Sequence, residues 1–358
     1  MRTRLMNICF FGSYQKTYSR NKILLDGLLK NNVKVIHCNS HYGFFFQRYW
    51  ELADFFWRNK QAIDVIYVAF PGQLDMPLGW ALGKLFRKPV VLDMYYSMYD
   101  TFVFDRKTFT PKSFRGRAYY YIDKLAATLA DHIITDTHSH ASHFSKLFKI
   151  PKEKFTRIFV GGDDAVFRPN TRKHDRKNLI VEFHGMFSRA QGAEYFIEAA
   201  KLLEWERNLK FLLIGDSTHY LLPKEKLAEL QPKNLTYLGE VSLSRLAQLV
   251  AAADICVGHF GSIVKAKNAI SNKTFHAIFS AKPIIVMDSQ ANRELFVNGV
   301  SALFVRPGDA RDLAQKIRLL SKSQKLRRKL VDNASKLLPM LTNEYLASQL
   351  IQVFFSLK

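Results

Sequence analysis

Residues 253–296 read ADICVGHFGSIVKAKNAISNKTFHAIFSAKPIIVMDSQANRELF, and the order of signals in this stretch decides the fold. Apolar residues 255–257 predict a short buried strand, and Gly258 and Gly261 bracket the loop that follows it. Residues 273–279 carry helical periodicity, and Lys282 and Pro283 lead into a second apolar strand over 283–287. Strand, glycine loop, helix, strand is the repeating unit of a parallel sheet whose helices cross over its faces.

The same alternation runs outward in both directions. Upstream, strands are expected at 179–183, 210–214 and 235–238 and helices at 193–203 and 243–252; downstream, helices at 307–320 and 343–357. The first half repeats the pattern, with strands at 7–11, 33–38, 63–70, 89–93 and 133–136 and helices at 20–30, 76–86, 116–130 and 139–148. Between the halves, a basic polar stretch holding Pro169, Asn170 and Asp175 breaks it. The expected organisation is an amino-terminal Rossmann-like domain over 1–168, a linker over 169–178 and a second α/β domain over 179–339. The terminal helix within 340–358 is expected to pack back on the first domain. Ligands of such sheets bind at the carboxyl ends of strands, where this chain places Gly12, Gly185 and Gly215. Each glycine serves either a tight turn or the close approach of a ligand.

Composition narrows the function. Apolar residues make up 48% and charged residues 23% of the 358, which predicts a globular protein and excludes a disordered one. Cys9, Cys38 and Cys256 have no paired spacing, so they are expected as buried free thiols in a reducing compartment. The apolar run near the start is too brief for a signal peptide and reads as the first strand. No stretch reaches the roughly 18 apolar residues of a membrane span. The formal net charge of +22 calls for an anionic partner: nucleic acid, a phospholipid surface or a diphosphate substrate. The basic residues are dispersed and no reader motif is present, which argues against nucleic acid.

Several blocks resemble the GT-B glycosyltransferases of glycosyltransferase family 4, the group 1 glycosyltransferases. In 253–296 these are the glycine loop, the turn Ser271, Asn272, Lys273, the strand opened by Lys282 and Pro283, and the small-residue loop ending in Glu294. HGMFSRAQGAEYFIEAAKLL from His184, LLIGDS from Leu212 and LFVRPGDARDLAQKI from Leu303 are similar to the rest of the family's donor domain. FFGSYQKTYSRNKILLDGLLKNNVKVI from Phe10 and FVGGDDAVFRP from Phe159 resemble its amino-terminal half. The resemblance implies two doubly wound domains facing a cleft, and transfer of a sugar from a nucleoside diphosphate sugar to a glycan or lipid-linked acceptor. It also implies retention of anomeric configuration and no metal or other cofactor. A sugar-nucleotide epimerase or phosphorylase on the same fold, or a weakened nucleotide-sugar-binding protein, stands as the alternative.

The departures from the family pattern are specific. Asn268 and His276 stand where the family often has two glutamates eight positions apart. Met186 and Gln191 stand where it has basic residues near the diphosphate. With those cations missing, Lys265, Lys267 and Lys273 are the candidates to hold the donor's phosphates. Gly12, Ser13, Gly185, Gln191, Gly215, Asp216, Gly261 and Asn272 complete the expected donor-side backbone and loops. His276 either bonds the donor's ribose or is a structural histidine; Asn292 and Glu294 resemble the family's sugar-facing loop, the alternative being simple helix capping by Asn292. Asp93, Asp100 and His138 are the candidates for contact with reacting hydroxyls. Asp163 and Asp164 are rejected as a metal pair, since no third oxygen ligand is identifiable.

Residues 41–60, HYGFFFQRYWELADFFWRNK, gather many rings with Arg48 and Arg58. At least half the rings are expected in the core. The rest, with both arginines, predict reversible docking on an anionic cytoplasmic leaflet. The expected location is the cytoplasm of a bacterium, peripheral to the inner membrane.

Overall fold

The computed structural model describes residues 6–169, 178–216 and 218–357; residues 170–177, most of the expected linker, lie outside the described residues. In chain order the first half holds β1 (Asn7–Gly12), α1 (Ser19–Lys30), β2 (Lys34–Asn39), α2 (Phe45–Asn59), β3 (Val65–Val68) and α3 (Met76–Phe86). It continues with β4 (Val90–Asp93), α4 (Phe114–Leu129), β5 (His132–Thr135), α5 (His138–Phe148) and β6 (Phe155–Arg157). The second half holds β7 (Leu179–His184), α6 (Ala193–Leu202), β8 (Leu209–Ile214), α7 (Leu222–Leu230), β9 (Leu235–Leu238), α8 (Leu243–Ala252) and β10 (Ile255–Val257). After these come α9 (Val264–Asn268), α10 (Asn272–Phe279), β11 (Ile284–Met287), α11 (Gln290–Arg293), β12 (Leu303–Val305), α12 (Ala310–Lys322), α13 (Gln324–Ser335) and α14 (Asn343–Ser356).

Two compact units result. Met1–Val103, Lys107–Gly161 and Met340–Lys358 form the first; Phe104–Arg106 and Gly162–Pro339 form the second. The first sheet runs β2-β1-β3-β4-β5-β6 and the second β12-β11-β10-β7-β8-β9, and their ladders are parallel throughout. The α/β class and the doubly wound sheets are therefore present in both units. Parallel strands covered on both faces must be apolar along their length, and VIYV of β3, VVLD of β4 and IIVM of β11 are buried at every position. In each sheet the strand order reverses beside the first strand of its unit: between β1 and β3, and between β7 and β10. A crevice at the carboxyl ends of the strands opens at such a reversal.

Within the first unit α14 lies against α1, so closely that a Cβ at Gly27 would overlap the backbone carbonyl of Asn343. Residues 45–59 form a full helix whose Leu52 and Phe56 enter the core, while Phe44, Phe46 and Trp50 are about four-fifths exposed. Arg48 corrects the expectation of a surface arginine: it is 9% exposed and pairs with buried Asp75 at 3.0 Å. Arg58 is exposed and pairs with Asp54 one turn back. Helix α13, QKLRRKLVDNAS, was not legible as a helix, because Leu330 and Ala334 are its only buried residues and leave almost no apolar periodicity to read.

Candidate functional site

The second unit's crevice begins at the end of β7. Gly185 has φ +134°, and Gly215, at the end of β8, has φ +118°. A Cβ at Gly215 would overlap the carbonyl of Gly185, so the two strand ends converge more tightly than any side chain allows. Lys273, in the first turn of α10, reaches this point. Its Nζ lies 3.4 Å from where a Cβ on Gly185 would stand and 3.5 Å over the ring of Phe183.

Lys273 is 4% exposed, and its Nζ makes no hydrogen bond. Burial pushes the ammonium well below the ordinary lysine range, opposed by the charge of Glu182. Gln191 Oε1, 3.7 Å from the same Cβ position, is likewise buried without a partner. At the end of β11, Asn292 donates from Nδ2 to the carbonyl of Met287 at 2.8 Å, and its Oδ1 is left unpaired. Buried polar groups are nearly always satisfied. One lysine nitrogen and two amide oxygens of this unit are thus left without hydrogen-bond partners at strand ends.

A second constellation shares α10. On β7, Glu182 and His184 are two apart and so lie on one face of the sheet. Glu182 Oε1 is 2.6 Å from His184 Nδ1, and His184 Nε2 is 2.9 Å from His276 Nδ1. His276 stacks flat on Phe167, centroids 3.7 Å apart at 7°. Burial, then His184 and Lys273, lower the His276 pKa well below the usual histidine value. The sequence reading missed Glu182 and His184. The available signal was a glutamate inside the otherwise apolar strand LIVEFH.

Other expected donor residues have definite places. Lys265 pairs with Asp105, of the same unit, at 2.9 Å, which commits part of its charge to the protein. Lys267 is exposed and Asn272 half-buried. Asp216 pairs with Lys224 at 2.7 Å. Gly261 is demanded by packing, since a Cβ there would overlap the Arg189 carbonyl. Ser289, not Asn292, caps α11, accepting from Asn292 N, and Glu294 ends that helix, half-buried. Asp163 Oδ1 accepts from Ala165 N at 3.1 Å, shaping a turn.

In the first unit, Gly12 has φ +120°, and a Cβ on it would stand 3.0 Å from Asp75 Oδ2. Ser13 N donates to that oxygen at 2.7 Å. Asp93 is a correction. It is wholly buried, and its oxygens accept from Arg20 Nε at 2.9 Å, Arg20 Nη2 at 3.2 Å and Tyr67 Oη at 2.6 Å. Arg20 in turn holds the carbonyls of Ile158 and Phe159. This carboxylate anchors strand ends and has no surface to offer a substrate. Asp100 is 4% exposed and 2.8 Å from His143 Nε2. His138 is exposed at the start of α5, while the buried pair at this strand end is Asp136 with His140.

Among the described residues no three His, Cys, Asp or Glu side chains converge as a metal site, and no helix is long and apolar enough to cross a membrane.

Residues 164–337 match the family model for glycosyl transferases group 1. Over 189 residues the chain is 27% identical to the N,N'-diacetylbacillosaminyl-diphospho-undecaprenol alpha-1,3-N-acetylgalactosaminyltransferase of Campylobacter jejuni, a match covering 51% of this chain and 46% of that protein. The chain thus spans about half the length of this curated relative. Its fold is similar to that of HepE from Anabaena in complex with UDP-glucose, with TM-score 0.74 and 16% identity over 98% of this chain and 100% of that one. Sucrose-phosphate synthase from Thermosynechococcus elongatus is similar too, with TM-score 0.74 and 15% identity over 98% and 99%. At such identities the likeness to solved structures establishes the fold.

Proposed function

From the premise that residues 164–337 are a group 1 glycosyltransferase domain on a GT-B fold, we propose that this protein transfers a sugar from a nucleoside diphosphate sugar to a hydroxyl of a glycan or lipid-linked acceptor. The observation that carries this is Lys273: a buried ammonium with no hydrogen-bond partner, aimed at the glycine end of β7. As the bond from the anomeric carbon to the donor diphosphate breaks, negative charge grows on the leaving phosphate. A positive group already shielded from water stabilises that charge strongly, because it needs no reorganisation. Gly185 lets the backbone approach the same phosphate without a side chain in between.

The transfer is proposed to retain anomeric configuration and to need no metal. The acceptor oxygen bonds to the anomeric carbon, and its proton passes to the departing phosphate oxygen, so the protein has no need of a strong base. A lipid-linked acceptor is favoured by the Campylobacter relative, whose name specifies a diphospho-undecaprenol-linked substrate. The exposed Phe44, Phe46 and Trp50 support docking of the first unit on a lipid surface.

A panel of uridine, guanosine, thymidine, adenosine and cytidine diphosphate sugars tests the reading. One of them should raise the melting temperature, by an amount that grows with the logarithm of ligand concentration once the site is saturated, and then support transfer to acceptor in the presence of EDTA. Turnover lost to EDTA and restored by magnesium or manganese would overturn the metal-free mechanism. Interconversion of donors without any acceptor would replace transfer by epimerisation.

A further inference from the structure

We propose that the outer side of α2, α3 and α4 in the first unit is a docking surface for an anionic lipid bilayer, with α4 supplying the recognition of charge. This extends the lipid docking suggested by the rings of α2 and rests on it. Strand order places the three helices. The steps from β2 to β3, β3 to β4 and β4 to β5 all run the same way across the sheet β2-β1-β3-β4-β5-β6, so right-handed crossovers lay α2, α3 and α4 on one face of it. Helix α3 packs against both of the others. Packed helices lie about 8–10 Å apart, so the outer sides of the three form a layer about 20 Å across.

Helix α4 is amphipathic in the reverse sense for a surface that meets only water. It buries Gly116, Asp123, Ala126 and Ala127, whereas Phe114, Tyr121 and Leu125 are 88%, 63% and 49% exposed. Tyr121 and Leu125 follow Phe114 by about two and three whole turns, so the three make one outward stripe. The same inversion continues across the layer: Leu85 of α3 is 69% exposed, and Trp50 and Trp57 of α2 are 80% and 56% exposed. An apolar surface of this extent calls for a partner. Charge selects which one. Residues 107–129 hold Lys107, Lys112, Arg115, Arg117 and Lys124 against a single acid, Asp123. Asp123 turns inward, accepting from Ser97 Oγ at 2.7 Å and Tyr99 N at 2.8 Å. On α2 the arginines are committed, Arg48 to Asp75 and Arg58 to Asp54. Helix α2 therefore contributes rings alone, and α4 contributes rings bordered by cations. An anionic bilayer takes both, with aromatic rings at headgroup level and Lys or Arg on lipid phosphate.

The probes are vesicles of phosphatidylcholine, with and without phosphatidylglycerol, carrying acyl chains brominated to quench indole fluorescence. The four tryptophans are Trp50 and Trp57 on α2, Trp80 on α3 and Trp205 in the second unit. Trp205→Phe should leave a signal that the anionic vesicles quench. With all four tryptophans changed to Phe, the indole introduced by Tyr121→Trp should be quenched as well. In the otherwise unaltered chain, Lys112→Gln with Arg117→Gln should weaken binding to the anionic vesicles about tenfold or more, since each basic residue there contributes a factor of about five, and should leave binding to the neutral vesicles unchanged. Phe46→Ser with Trp50→Ser should weaken both. Quenching on α2 but not of the indole introduced on α4, with the charge variant binding like the wild type, overturns the role of α4 and leaves docking by α2 standing. Quenching confined to Trp205, no binding to either vesicle, or a dimer in sedimentation that Phe114→Ser disperses overturns the lipid surface altogether.

Discussion

Lys273 holds its amino group where water hardly reaches, at 4% exposure. Its pKa lies well below the ordinary 10.5 because burial penalises the charge more than Glu182 restores it. The sign follows directly. Between the lowered value and 10.5 the unfolded chain holds a proton that the folded chain lacks, so in that window stability rises with pH and falls on acidification. A bound diphosphate favours the charged form, so in the same window donor binding takes up a proton and affinity falls as pH rises. Calorimetric titration in two buffers of different ionisation enthalpy should show that uptake. Lys273→Met should abolish it and weaken binding by about 1.5–3 kcal/mol, the range for a charged hydrogen bond. Equal heats in both buffers with unchanged affinity in the variant would put Lys273 outside the donor site. Asp93 has the opposite character. Asp93→Ala leaves Arg20 charged and buried without its carboxylate, and the expected loss is about 3–5 kcal/mol, read by chemical denaturation. A variant of full stability with no turnover would return Asp93 to the catalytic list.

At the scale of elements, the close approach of α1 and α14 makes a quantitative claim. Gly27 is where the helices touch, backbone against backbone. Gly27→Ala should cost about 1–3 kcal/mol through overpacking, visible as a lower melting temperature. Gly43→Ala, where a Cβ would meet nothing within 4 Å, is the control and should leave it unchanged. A Gly27 variant as stable as the control would mean that α14 does not rest on α1 in solution. Helix α2 shows why ring counts alone mislead: one side sends Leu52 and Phe56 into the core, while Phe46 and Trp50 on the other side meet solvent at 86% and 80% exposure.

For the whole molecule the net charge of +22 sets the expectation for surfaces. Co-sedimentation with vesicles should rise with anionic lipid and fall with salt, since each basic residue near such a surface contributes about 1 kcal/mol and is screened by ions. Phe46→Ser with Trp50→Ser should reduce binding at constant charge. Arg48→Glu, by contrast, should lower stability, because it sets two carboxylates together where Arg48 now pairs with Asp75. Equal recovery with neutral and anionic vesicles would remove the lipid surface from the proposal.

The sequence by itself determined the repeating α/β order and both parallel sheets, because buried parallel strands are apolar runs and the glycines after them mark the turns into helices. Residues 253–296 alone carried one full unit of that pattern. The resemblance to the group 1 glycosyltransferases also brought Lys273 and His276 forward, as a candidate phosphate cation and as the residue standing where the family often has a glutamate. Only the tertiary structure decided what such residues meet. Asp93 looked available at a strand end until Arg20, 73 positions away, took its oxygens. Arg48 looked like a surface charge until the turn carrying Asp75 folded over it. Glu182 and His184 drew no notice until α10, some 92 positions on, laid His276 beside them. Periodicity is a local property, set by one element's own backbone geometry; burial, pairing and the protonation of a ring depend on which distant element packs there.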